Sequence, residues 1–446
     1  MFDLDHLKKT YFKMAMPVVI GLVITLIYNL VDTWFISQTR DVNIIAGVSL
    51  CSPIFTTLMA FGNIYGQGGS SLISRLLGKN DSESIKRVSS FCFYISIITG
   101  AVIAAIMLVF RGGLLKMLGV DAATLLPASD YYTVMAIGAP IVVLTFIHSN
   151  LVRCEGMALQ SMIGNILGTV LNIILDPILI FNCNMGAKGA AVATILGYLL
   201  TDVFFLILVM MKSKNLSVDI RSCRVNGEEL WQILGVGVTA AITNIMSSLC
   251  VIIVNRMLLP FGENYIASMG MVLRVNMIAQ LVLTGFAFGG VPVFGFIFGS
   301  NNRKKLNELI KFCIMFLGGL SIALTLILFF GSSAVMSIFT PDSELLSICS
   351  SMLRFQVAGT IFVSVVLLTT VLFQATGKVI QAFIMSISRQ GVIFIVVVWL
   401  LSGALGYTGI IASQVVADFV SAAIGLFLYF ITFASKKDSE EASIEE

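Results

Sequence analysis

The sequence predicts an all-α polytopic membrane protein, with twelve transmembrane helices in two six-helix bundles related by a pseudo-two-fold axis along the membrane normal. Three observations carry this. First, 58% of the 446 residues are apolar and 11% charged, with a mean hydropathy of +0.99, and no water-soluble fold of this length hides so much apolar surface. Second, apolar runs that reach the roughly 20 residues needed to span a bilayer recur along the whole chain. Third, the second half echoes the first. Leu77-Gly78-Lys79-Asn80 returns about 221 positions later as Phe298-Gly299-Ser300-Asn301, and Arg153-Cys154-Glu155-Gly156 as Gln374-Ala375-Thr376-Gly377. Met185-Gly186-Ala187-Lys188-Gly189 returns as Leu405-Gly406-Tyr407-Thr408-Gly409, one residue closer. Half-chain repeats in an apolar protein mark secondary transporters.

In chain order the spans are expected at 12–36, 43–72, 89–110, 128–152, 161–183 and 187–211, then at 230–258, 265–298, 309–330, 345–373, 381–403 and 407–434. This divides the chain into an N-lobe (1–215, helices 1–6), a cytoplasmic linker (216–229), a C-lobe (230–435, helices 7–12) and an acidic cytoplasmic tail (436–446). Six is even, so both halves enter the membrane from one side and the repeat is parallel rather than inverted. The basic residues orient it. A cytoplasmic N-terminus places Lys8, Lys9, Lys79, Lys86, Arg87, Lys212, Lys214, Arg221, Arg224, Arg303, Lys304, Lys305, Lys436 and Lys437 inside, so both termini are assigned to the cytoplasm, with the protein in the cell (inner) membrane. The first span is too long for a signal h-region and lacks a small-residue cleavage site, so it reads as a retained helix.

Several function classes fall away. A net charge of +3 spread over short loops gives no nucleic-acid stripe, and Glu440, Glu441, Glu445 and Glu446 read as a solvated end. The eight cysteines show no paired spacing, hence neither a disulfide framework nor a zinc site. There is no GxxxxGK[ST] loop and no HExxH, and only two histidines, His6 and His148. The glycine-rich stretch Gly62 to Gly69 lies inside a span and reads as close helix packing. The expectation is therefore a non-enzyme without cofactors, monomeric in a lipid bilayer.

Function is then sought in the polar groups placed within the membrane. Only Asp32, Asp176, Asp202 and Asp418 fall well inside the expected spans, with Asp130 at the edge of the fourth. Each costs about 2.5 to 3.5 kcal/mol at mid-bilayer, so each needs a partner, a proton or a wet cavity. In the fifth span Asn165, Thr169, Asn172 and Asp176 step by four, three and four along one helix face. Pro177 follows, and its missing N–H leaves the Ile173 carbonyl free, beside a carboxylate that suits a cation. Thr25, Tyr28 and Asp32 make a second polar face, with Asn29 beside it, and Thr194, Tyr198 and Thr201 a third. Three faces in one half converge on one cavity, with Asn150 at its wall. The repeat-related positions of the second half are Ile393 for Asn172, Val396 or Val397 for Asp176 and Gln414 for Thr194, so the polar stripe is no requirement of the fold. Asp418 is matched by a basic residue among Arg389, Arg274 and Arg354. Asp202, next to Thr201, is left unassigned and expected to point away from the cavity, and His148 is expected to pack near the cytoplasmic end of the fourth span.

Val31-Asp32-Thr33-Trp34-Phe35, Arg153 to Gly156, Asn172-Ile173-Ile174-Leu175-Asp176-Pro177 and Gly186 to Thr194 resemble the multidrug and toxic compound extrusion (MATE) family, over nearly the whole chain. The resemblance is to its DinF-like branch, and Ser386 to Gly391 is similar to the MepA-like members. It implies a V of two six-helix lobes, a central cleft, and a multidrug efflux antiporter that exports cationic amphiphilic drugs in exchange for H+ or Na+. Carried over by motif, the N-lobe cation-coupling site, also the Na+ site if sodium is the ion, falls on Asp32, Asn172, Asp176 and Thr194. The substrate cavity takes Tyr28 and Asn165 by the resemblance, and Asn29, Asn150, Thr169 and Tyr198 by their place on the polar faces. The acids of the seventh and tenth spans on which NorM-like members rely have no counterpart between Trp231 and Pro260 or between Leu345 and Ala375. The alternative is a lipid-linked oligosaccharide flippase of the same broad superfamily. Its cavity needs basic residues for phosphate, whereas the candidates here are acids and amides.

Overall fold

The computed structural model of the chain describes residues 2–434. The acidic tail expected at 436–446 lies outside the described residues, and among these every regular element is helical. Spans form where expected: α1 (Leu7–Ser37), α2 (Val42–Gly78), α3 (Ser82–Val109), α4 (Leu125–Ile137 with Ala139–Cys154, bent by 54°), α5 (Ala158–Asn182) and α6 (Gly186–Lys212). The second half supplies α7 (Gly227–Phe261), α8 (Glu263–Gly299), α9 (Arg303–Phe330), α10 (Ser343–Ala375), α11 (Val379–Leu405) and α12 (Tyr407–Phe433). Large apolar residues lie outermost at helical spacing, as in Ile98, Val102 and Ile106 of α3, a surface that only lipid accommodates.

The echoed sequences turn out to be helix ends. Asn80 (φ 56°) and Asn301 (φ 55°) adopt the left-handed conformation that closes α2 and α8. The next residue starts a helix in each case: Asp81 accepts a hydrogen bond from Ser84 N–H at the head of α3, and Asn302 from Lys305 N–H at the head of α9. The Ser84 hydroxyl, and after it this backbone bond, hold the Asp81 carboxyl below the usual carboxylate range. Gly156 (φ 88°) answers to Gly377 (φ 71°), and Gly186 (φ 51°) to Gly406 (φ 57°), where a side chain would be strained.

The chain forms two compact units: one runs to Ala241 and includes Gly295–Asn301, and the other comprises Ile242–Phe294 and the chain from Asn302. The first unit reaches beyond the inter-lobe segment into α7 because glycines bring backbones together there. Gly68 of α2 lies against Ile233, and Gly237 of α7 against Ile64. Its core is filled by residues such as Leu58, Ile73, Tyr132, Met135, Ile147 and Phe205. That of the second is built around Met269, Met352, Leu353 and Phe394.

The segment after α6 is tied down within the first unit. Glu155 accepts from the Ser213 hydroxyl (2.6 Å) and from the backbone N–H groups of Lys214 (3.0 Å) and Asn215 (2.9 Å). Ser90 and Tyr94 of α3 then donate to the carbonyls of Ser217 (3.1 Å) and Val218 (2.9 Å).

Candidate functional site

The site is set by a close approach of α5 and α6. A Cβ on Gly197 would stand 2.7 Å from the Gly168 carbonyl oxygen and 3.2 Å from Asn172 Cβ, so only glycine lets the two backbones meet. One turn beyond Gly168, Asn172 is thereby laid against Thr194, and its Nδ2 donates to Thr194 Oγ1 at 3.2 Å. Thr194 Oγ1 itself donates to the Ala190 carbonyl (3.0 Å). A further turn along α5, Asp176 is fully buried. α1 packs against α5, and this brings the carboxyl of Asp32 within hydrogen-bonding reach of that of Asp176. Tyr28, one turn before Asp32, joins its hydroxyl to Thr194. Below Asp176 the helix widens, with Ile178–Asn182 in π turns after Pro177, whose missing N–H interrupts the regular ladder.

Four acceptor oxygens are left over here. Asp32 Oδ1, Asn172 Oδ1 and both carboxyl oxygens of Asp176 are buried without a donor among the described residues. Buried acceptors of this kind call for a proton or a cation. Two carboxyls supplemented by neutral amide, hydroxyl and phenol oxygens match a single proton or a sodium ion, the cations that such membrane sites hold. Tyr131 of α4 and Tyr198 of α6 lie close enough to feel the charge of Asp32. Tyr198 also stacks on Phe55 (6.0 Å between ring centroids) and faces Phe146 (6.3 Å). An aromatic wall beside paired acids attracts organic cations.

Asp32, Asn172, Asp176, Thr194 and Tyr28 thus come together, and the other candidates are placed differently. Asn165 donates to Ser149 Oγ (2.9 Å), joining α5 to α4, and Thr201 donates to the Gly164 carbonyl (3.2 Å), joining α6 to α5. Both act as interhelical hydrogen bonds. Asn150 is buried, donates to the Phe146 carbonyl (2.7 Å) and accepts from Arg153. Thr169 is half-buried on the polar face of α5, Asn29 is exposed, and Thr25 donates to the Gly21 carbonyl (2.9 Å).

The two acids without a role in the sequence reading have partners. Asp202 faces His148 in the first unit, Oδ1 to Nδ1 at 3.3 Å. In the second unit Arg389 donates to Asp418 Oδ1 (2.9 Å) and to Gln280 Oε1 (2.8 Å), and Gln414 donates to the same Asp418 oxygen (3.0 Å). Of the three basic residues named for Asp418, Arg389 is the one that reaches it; Arg354 donates to Ser332 Oγ instead. A continued four-residue step along α6, Thr194 to Tyr198 to Asp202, was the available signal that Asp202 shares a face with the site.

The MatE family's sequence profile matches two stretches of equal length, residues 17–178 and 239–400. The chain belongs to the MatE family. As a MatE protein it is a multi-pass membrane transporter and not an enzyme. It is 32% identical over 430 residues to the multidrug export protein MepA of Staphylococcus aureus strain MRSA252, covering 96% of this chain and 95% of the relative. It is 31% identical to MepA of Staphylococcus haemolyticus strain JCSC1435, over 100% and 98% of the two chains. A crystal structure of MATE in the bent conformation matches with a TM-score of 0.91 at 26% identity, covering 97% of each chain. The two profile matches fall one in each half, as the echoed helix ends require.

Proposed function

We propose that this MatE protein is a multidrug efflux antiporter of the cell membrane that exports cationic amphiphilic compounds in exchange for H+ or Na+. Exchange takes place at Asp32, Asn172, Asp176 and Thr194. The observation that carries this reading is the meeting of the Asp32 and Asp176 carboxyls with leftover buried oxygens around them. Ionised, the pair attracts an organic cation to the aromatic wall of Tyr28, Tyr131 and Tyr198. A proton or a sodium ion taken up by the pair cancels that attraction, so drug and coupling ion favour different states of one site and each displaces the other. The relatives' description as multidrug export proteins supports the same class of cargo. Paired acids suit it, whereas a lipid-phosphate substrate would need bases.

Proteoliposomes loaded with a fluorescent cationic dye test it, with a proton or a sodium gradient imposed. Wild type is expected to move dye under one gradient, which names the ion, and Asp32→Asn to insert normally but lose coupled movement. Full transport by Asp32→Asn, or none by wild type under either gradient, overturns the reading.

A further inference from the structure

The first unit holds a second buried pair of ionisable side chains, for which the exchange just described has no use. Asp202 and His148 meet at 3.3 Å with side chains only 4% and 3% exposed. Thr145, one turn before His148, lies beside Asp202, and its hydroxyl is shared between the carbonyls of Ile141 (3.0 Å) and Tyr198 (3.4 Å). The imidazole is flanked by Phe93 of α3 (5.4 Å between ring centroids) and Phe205 of α6 (6.3 Å). The outer atoms, His148 Nε2 and Asp202 Oδ2, are buried without a hydrogen-bond partner among the described residues. The ionisable groups on the surrounding helices are engaged elsewhere. On α3, Arg87 pairs with Glu229 and Tyr94 with the Val218 carbonyl. On α2, Arg75 donates from Nε to the Ser71 carbonyl, with one terminal nitrogen buried and without a partner among the described residues, and Tyr65 accepts from Thr99. Arg153 of α4 goes to Asn150 and Asp176 of α5 to Asp32.

A half-satisfied buried polar pair is worse for stability than apolar packing. Its two idle atoms therefore point to a role other than holding helices. Its place suits one. Asp202 stands eight residues along α6 from Thr194, about 12 Å at 1.5 Å per residue, toward the Lys212 end. Tyr198 lies between them on the same face.

We propose that the His148–Asp202 pair is a second, proton-specific site, distinct from the Asp32–Asp176 pair, and that it gives up one proton when an organic cation binds. In the loaded state the imidazolium carries both N–H protons and Asp202 is a carboxylate, so the pair is neutral. Breaking Nε2–H passes that proton to water and leaves a neutral imidazole that still donates Nδ1–H to Asp202. The pair then bears one negative charge. A positive drug held in the same low-dielectric unit favours that state, which couples the two sites through charge. The coupling to drug rests on the function proposed above; the existence of the proton site does not.

The test uses the scarcity of histidine. His6→Gln removes an exposed ring and leaves His148 as the single imidazole. Nitrogen-15 histidine NMR of this variant in nanodiscs, between about pH 5 and 9, is expected to show the ring changing charge state. Asp202→Asn, which keeps an amide in place, is expected to lower the midpoint and Asp32→Asn to leave it within a few tenths of a unit. In proteoliposomes Asp202→Asn is expected to flatten the pH profile of dye transport by about one proton, a tenfold smaller change per pH unit. A ring fixed in one state across the range, or an Asp202→Asn profile identical to wild type, overturns the proposal. Absence of dye transport by wild type counts against the antiport reading instead, and leaves the NMR result to decide the proton site.

Discussion

Thr194 does more at the site than its single hydroxyl suggests, because from α6 it touches both helices that carry the acids. It is joined to Asn172 of α5 and to Tyr28 of α1. Thr194→Val keeps the shape and deletes both bonds together with the one to the Ala190 carbonyl, leaving buried polar atoms unpaired. The expected cost is about 1 to 3 kcal/mol in stability, seen as a lower melting temperature in detergent, together with weakened ion coupling. Thr201→Val, two turns along the same face, deletes a hydroxyl shared between the carbonyls of Gly164 and, within its own helix, Gly197, and is expected to cost about 0.6 kcal/mol and to leave coupling unchanged. That Asp32, Asn172, Asp176 and Thr194 come together was legible in the sequence because charge in a bilayer is costly and because spacing by three and four puts residues on one face. Their partners were less so. Asp202 and His148 are 54 positions apart on different helices, and the periodicity of one helix says nothing of which neighbour its acid meets.

At the scale of elements, α11 shows how the second unit departs from the first. It is broken at Gln390 (φ −115°, ψ 24°) and Gly391 (φ −133°, ψ −118°) rather than running straight. Arg389, immediately before the break, is anchored to Asp418 of α12 and Gln280 of α8, and Cys250 Sγ of α7 donates to the Gln390 carbonyl (2.9 Å) that the break exposes. By the repeat offset Asp418 corresponds to Tyr198, so a neutralised ion pair stands in the second unit where the first has an aromatic wall. Removing one partner strands a buried charge. Arg389→Met alone is expected to cost about 3 to 5 kcal/mol, and the double variant Arg389→Met, Asp418→Leu to recover most of it, as read by a double-mutant cycle of thermal unfolding. The helices themselves were legible from hydropathy, and the turns between them from the echoed Asn and Gly residues. The break in α11 was not, since no proline marks it and a single glycine is an ordinary feature of membrane helices.

For the whole molecule, orientation is the property the basic residues address and natural cysteines can check. Cys183 is exposed and Cys223 half-buried, and the other six except Cys313 and Cys349 lie in the same unit or at α7, all six buried. With both termini in the cytoplasm, Cys183 at the end of α5 faces outward and Cys223 inward. A membrane-impermeant maleimide added to intact cells is expected to label wild type and to lose that signal in Cys183→Ser. Labelling that survives this substitution and is lost in Cys223→Ser means the chain is inserted the other way.

The tethering of residues 213–218 has a meaning in the order of synthesis. Its acceptors and donors, Glu155, Ser90 and Tyr94, all precede the tethered segment in the chain. A ribosome delivers them first. The segment can therefore dock as it emerges, while most of the second half is still to be made. Glu155→Ala is thus expected to lower the yield of inserted protein more than it lowers the melting temperature of the molecules that complete folding, a comparison that fluorescence size-exclusion chromatography and thermal unfolding make directly.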